Sequence, residues 1–171
     1  MTVETEFLTF SADKLTQLMG RIDACVQILT AEQIWMRADA NQNAVGNLLL
    51  HLNGNVRQWI LHGVGGQADV RNRDAEFAAK DGAGAEELLA RLRATVEETV
   101  ALMRKLPAGR LMERVRTQGY DCSVLAAIYH VVEHFAGHTF QIIYATKLCT
   151  GEDLGFYAHL SGDRPLKDPL P

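Results

Sequence analysis

Cysteine is scarce in this 171-residue chain, with only Cys25, Cys122 and Cys149. An odd count without C-x-x-C spacing fits buried or incidental thiols in a reducing compartment better than a disulfide framework. No apolar run approaches the ~20 residues that cross a bilayer, which sets membrane partners aside. No run of Lys or Arg occurs and the net charge is −4, which disfavours nucleic-acid binding. The opening residues Met1-Thr-Val-Glu-Thr-Glu6 lack the cationic-then-apolar layout of a signal peptide. No strand pattern competes in strength with the helical ones, and internal repeats and low-complexity segments are missing. These absences lead to the expectation of a cytoplasmic globular protein, one domain over residues 1–171.

Helical periodicity is abundant. A first segment begins at Ser11, read as an N-cap, and aligns Leu15, Leu18, Met19, Ile22, Val26 and Leu29. A second runs from about Asn43 to His62, with Leu48, Leu49, Leu52, Val56 and Ile60 apolar and Gly63 as its stop. A third runs from about Gly84 to Leu106, ended by Pro107, and a fourth from about Ser123 to Cys149, whose apolar set includes Leu125, Ile128, Phe135, Ile142 and Leu148. Helices ~30 Å long suit an all-α four-helix bundle. The links at 63–83 and 107–122 exceed the short turns of a plain up-down bundle and read as crossover loops. The second contains an extended piece, Arg114-Val-Arg-Thr-Gln118, and the tail after Gly151 reads as a surface wrap or partner contact.

Within Tyr129–Gln141, His130, His134 and His138 recur every fourth residue, stacking on one face of a helix. Two imidazoles one turn apart can grip a single ion. His130 and His138, ~12 Å apart along the axis, are too distant to share one, so the pair is His130/His134 or His134/His138. Gly137 offers close approach to a neighbouring helix, and Gln141, one turn on, can hydrogen-bond on the same face; both favour His134/His138. His51 lies in the other apolar helix, flanked one turn away by Asn47 and Asn55. Asn47 is a candidate partner for the imidazole N–H, and Asn55 for that shell or for substrate. Arg57 and Trp59 are candidates for a pocket mouth; Trp59 also reads as core, and Arg57 as an ion pair with Asp74 or Glu76. Glu133, rotated off the histidine face, reads as solvated, His62 as a helix C-terminal residue favoured by the dipole, and His159 as unremarkable. Zinc, nickel, iron and manganese all accept neutral imidazole.

Leu50-His-Leu-Asn-Gly-Asn-Val-Arg-Gln-Trp-Ile60, Arg71-Asn-Arg-Asp-Ala-Glu-Phe77 and the H-x-x-x-H-x-x-x-H-x-x-Q-I run from His130 to Ile142 together resemble the DinB/YfiT-like superfamily, in motif order along nearly the whole chain. The resemblance implies a bundle of up-down-down-up topology, a homodimer, and a divalent ion, commonly nickel or zinc, held by His51, His134 and His138, with His130 lining the pocket. It further implies a small-molecule transferase using a low-molecular-weight thiol, or else a metal-dependent hydrolase. Two competing expectations stand beside these. One is a non-enzymatic, stress-related metal-binding dimer, which a closing ligand from Glu133 or His130 would favour. The other is a metal-free helical interaction module, in which His51 would face away from His134.

Overall fold

The computed structural model describes residues 2–39 and 41–158. Its backbone is mostly helical, with one small antiparallel sheet. In chain order the elements are α1 (Val3–Gln27), α2 (Ala31–Trp35), α3 (Val45–Val56), a π-helical continuation of α3 (Arg57–His62), α4 (Arg73–Ala78), α5 (Ala85–Lys105), a 3-10 turn (Ala108–Met112), β1 (Arg114–Thr117), β2 (Tyr120–Ser123) and α6 (Val124–Thr150).

Four of these helices are long, and α1 and α3 each pack on both α5 and α6. Between them lies a core that includes Leu15, Leu18 and Ile22 from α1, Leu49 and Leu52 from α3, Leu89, Leu92 and Met103 from α5, and Ile128, Phe135 and Ile142 from α6. Each set recurs at three- and four-residue spacing, so each helix buries one stripe. On the order of 2 kcal/mol per fully buried Leu, Ile or Phe side chain makes this burial the main support of the fold.

Several boundaries differ from expectation. α1 starts at Val3, capped by Thr2, whose hydroxyl accepts from the Thr5 amide. Ser11 is buried mid-helix, because Leu8 and Ala12 extend the apolar stripe a further two turns. Leu125 and Leu148, counted in the apolar set of α6, are exposed. The 63–83 link is not structureless: it carries α4, capped by the Asn72 side chain on the Ala75 amide at 3.1 Å.

The piece Arg114–Gln118 forms the first arm of a hairpin, with Thr117 paired to Tyr120. Gln118 (φ 50°) and Gly119 (φ 80°) form its two-residue turn, and positive φ at both positions matches the twist of the flanking strands. The hairpin is fastened to the π-helical segment by two hydrogen bonds. Thr117 Oγ1 donates to the Gln58 carbonyl at 3.0 Å, and Trp59 Nε1 donates to Gln118 Oε1 at 2.8 Å. The start of the tail lies against α1, where Arg21 donates to Tyr157 Oη at 3.3 Å, while residues 159–171, His159 among them, lie outside the described residues.

Candidate metal centre

The middle of α3 faces the middle of α6, and each brings histidine to the contact. His51 Nε2 lies 2.9 Å from His134 Nε2. The ring of His138 stands 5.0 Å from that of His51 and 4.5 Å from that of His134, nearly perpendicular to both. One nitrogen from each of the three rings lies within 4.8 Å of the others. The arrangement of a metal-free interaction module, with His51 turned away from His134, is therefore not what the chain adopts.

The outer nitrogens of two of these rings are held. His51 Nδ1 is 2.9 Å from Glu76 Oε2, and His138 Nδ1 is 2.8 Å from Gln141 Oε1. A carboxylate and an amide carbonyl only accept, so both Nδ1 atoms carry the proton and donate it. Both Nε2 atoms are then left with a lone pair, the tautomer a metal ligand needs.

Glu76 is itself fixed. Arg71 Nε donates to its Oε1 at 2.8 Å and Arg71 Nη2 to its Oε2 at 2.9 Å, a two-pronged pair whose side chains are only 3% and 9% exposed. Arg71 Nη1 donates onward to Gln58 Oε1 at 2.9 Å. Burial acts to raise the Glu76 carboxyl, but hydrogen bonds from Arg71 and His51 together with their charge outweigh it and hold the pKa below its ordinary value. Glu76 is thus an anion that orients His51 without approaching the open side of the cluster.

Gly54 makes room for this pair. A Cβ there would lie 1.9 Å from Glu76 Oε1 and 3.0 Å from Arg71 Nε. The glycine of the L-H-x-x-G-N stretch is thereby a close-approach position.

Burial of the imidazoles, reinforced by the neighbouring rings of His138 and His51, lowers the His134 pKa to about 3. His138 is lowered chiefly by burial, against the Gln141 hydrogen bond, and His130 by burial against the pull of Glu133. At neutral pH His130, His134 and His138 are uncharged bases.

Other expected site residues fall into place differently. Asn47 does not touch the His51 ring. Its Nδ2 donates to the carbonyls of Glu76 (2.9 Å) and Ala79 (2.8 Å), and its Oδ1 accepts from the Ala44 amide and from Arg37. It fastens α4 to α3 and so acts on His51 only through Glu76. Arg57 pairs with Glu98 at 4.0 Å rather than with Asp74 or Glu76, because Arg71 occupies both Glu76 oxygens. Among the described residues no atom lies within 4 Å of where a Cβ on Gly137 would sit, so it does not mediate approach of a described helix. His62 Nδ1 lies 2.7 Å from the Gln67 carbonyl and fastens the turn that follows.

His130 stacks at 5.5 Å on His134 and packs at 4.1 Å, tilted, against Trp59, outside the three-ring cluster. Glu133 is exposed on another face of α6. Neither supplies a closing ligand. Glu76 and Arg71, which sequence reasoning did not assign to the site, stand in the Arg71–Phe77 stretch; that stretch was the available signal.

Donors bound ~2.0–2.1 Å from a common ion sit ~3–4 Å apart, close to the spacing found here, and imidazole nitrogens, two of them with their Nδ1 atoms held, suit a divalent transition ion. The residues fit such an ion. A family model described as "Protein of unknown function (DUF1572)" matches residues 2–161. The chain belongs to this family. No curated protein matches the DUF1572 chain. Among solved structures, one described as the crystal structure of the conserved protein of locus from Enterococcus faecalis is similar, at 14% identity and a TM-score of 0.73, over 89% of this DUF1572 chain and 99% of that one. At that identity the likeness speaks to the fold alone. No helix of the described residues is long and apolar enough to cross a membrane.

Proposed function

We propose that this protein is a metal-dependent enzyme of the DinB-like bundle type, up-down-down-up in topology, with His51, His134 and His138 as ligands to one divalent ion, nickel or zinc before iron or manganese. The observation that carries the reading is the orientation of the cluster: Glu76 and Gln141 hold the Nδ1 atoms of His51 and His138, so their Nε2 lone pairs are free. Structural sites of this kind usually have four protein ligands, whereas three ligands with an open position belong to catalytic sites. An ion there supplies Lewis acidity and lowers the pKa of a thiol or water that it binds.

Of the two reactions, transfer to a low-molecular-weight thiol is favoured over hydrolysis. Hydrolysis calls for a base beside the nucleophile, and the nearby carboxylates are engaged. Glu76 is tied to Arg71 and His51, and Asp121 to Arg114 and Arg116. A thiol needs no such base once ionised. The wall formed by Trp59 and His130 then receives the electrophile. The homodimer belongs to the same proposal: Tyr129, Phe140, Tyr144 and Leu148 leave an exposed apolar face along α6.

The test is elemental analysis of protein purified without affinity-tag metal or chelator, with His51→Ala and His134→Ala beside it. About one equivalent of a divalent transition metal is expected, lost in both variants while helicity is retained. A stoichiometric ion in His134→Ala refutes the assignment.

A further inference from the structure

On the hairpin side of the histidine cluster lies a cleft of about 520 Å³, a size that suits a small organic molecule. His51, His134 and His130 line it, together with Trp59, which packs against His130, and Tyr120. Two further lining residues have unused chemistry. Asn55 is 3% exposed, its carboxamide makes no hydrogen bond among the described residues, and its Oδ1 is buried without a partner. Leaving such an acceptor unpaired is costly. Arg73 lies at the rim, over the Phe77 ring at 4.9 Å, with no carboxylate within ion-pair distance among the described residues. The other charges of the cleft are neutralised, Arg71 by Glu76 and Asp121 by Arg114 and Arg116. The uncompensated charge of the cleft is therefore positive, and its uncompensated polar group is a buried carboxamide.

We infer that this cleft is the substrate pocket of the centre and selects a small anionic molecule that also carries an amide or hydroxyl group, the anion meeting Arg73 and the neutral polar group meeting Asn55. The inference rests on the reading of the histidines as a metal-dependent site. Asn55 is a specificity residue in this scheme: a carboxamide pairs with an amide through a donor and an acceptor at once, and a site built to hydrogen-bond rejects an analogue that lacks the group. Arg73 is exposed and its contribution is smaller, since solvent screens its charge.

The test uses three matched probes, titrated calorimetrically into zinc-loaded and metal-free protein. Succinamate carries both groups, methyl succinamate lacks the charge, and monomethyl succinate lacks the amide. Succinamate binds best to the wild type. Asn55→Leu weakens succinamate about ten-fold and leaves monomethyl succinate unchanged, while its melting temperature holds or rises because a buried unpaired group is gone. Arg73→Gln, at an exposed position that does not endanger folding, weakens succinamate about three-fold and leaves methyl succinamate unchanged. Equal affinity of the three probes, or of wild type and both variants for succinamate, overturns the inference; so does the absence of saturable succinamate binding. The two readings fail separately. Zinc bound at one equivalent without succinamate binding leaves the metal site and removes the pocket. Asn55-dependent succinamate binding by a protein that takes up no zinc leaves the pocket and removes the metal site.

Discussion

Gly54→Ala sets two effects of opposite sign against each other. In a helix interior the change ordinarily stabilises by ~0.5–1 kcal/mol, since alanine loses less backbone entropy on folding. Here the new methyl group would sit 1.9 Å from Glu76 Oε1 and 2.9 Å from Glu76 Cδ, so the carboxylate must retreat by roughly 1.5 Å to reach van der Waals distance. A free side chain could do so cheaply. Glu76 cannot, because Arg71 and His51 hold both its oxygens at 2.8–2.9 Å and both partners are buried. Breaking a buried pair of this kind costs ~3–5 kcal/mol. Net of the helix gain, Gly54→Ala should lose ~2–4 kcal/mol, or very roughly 5–15 °C in melting temperature for a chain of this size. Gly20 provides the control. It lies inside α1 with nothing among the described residues within 4 Å of where a Cβ would sit, so Gly20→Ala should gain the full ~0.5–1 kcal/mol. Urea and thermal melts of the two variants decide the matter, with zinc titration as a second readout. Because His51 loses its anchor, Gly54→Ala should also bind zinc ~10–100-fold more weakly. Gly54→Ala as stable as Gly20→Ala, with unchanged zinc affinity, would refute the account of Glu76 as a rigid support.

Glu76→Gln should be more severe than Gly54→Ala in stability, because it leaves the Arg71 guanidinium buried without its counter-charge, at ~3–5 kcal/mol; chemical denaturation checks this, and a loss below ~1 kcal/mol would contradict the pairing. For the metal-free protein the pH dependence has a definite sign. The folded state holds His134 neutral down to about pH 3, whereas an unfolded imidazole takes its proton near 6.5. Between those values the unfolded chain binds more protons, so stability falls as pH drops from about 6.5 toward 3 and is flat with respect to this group above 7. His134→Phe should flatten that slope in urea midpoints measured across the window. On the outer face of α6, Tyr144→Glu should convert a dimer to a monomer in sedimentation experiments with zinc content unchanged; unchanged sedimentation would place the interface elsewhere.

What could be read from the sequence was the part governed by local periodicity. The stripes of α3, α5 and α6 are regular, and their limits fall within a residue or two of the expected ones, apart from the π-helical continuation of α3. The start of α1 was misplaced because Ser11 looks like a cap, while the residue that caps is Thr2, whose role depends on a hydroxyl-to-amide contact three residues on. The exposure of Leu125 and Leu148 had no local signal. Both lie at helical spacing from core residues, and only the packing of α6 against α1 and α3 decides which edge of a broad apolar stripe stays outside.

The site divides along the same line. That His51, His134 and His138 could meet was legible because two of them share a helix face and the third interrupts an apolar helix. Their support was less legible because it comes from residues without a period of their own. Asn47 sits one turn from His51, and spacing alone points it at the ring; in the fold it points instead at the carbonyls that end α4. Arg57 and Arg71 are both plausible partners for Glu76 by composition. The choice between them turned on chain geometry: Arg71 precedes α4 by two residues and reaches both carboxylate oxygens, while Arg57 faces α5 and meets Glu98. A six-residue helix such as α4 is too short to announce itself by periodicity, yet it carries the carboxylate that fixes the tautomer of a histidine 25 positions earlier. The glycine that admits that carboxylate is a sequence mark of the arrangement beside the Arg71–Phe77 stretch: a helix-interior residue that forgoes ~1 kcal/mol of propensity for lack of room for a methyl group beside Glu76 and Arg71.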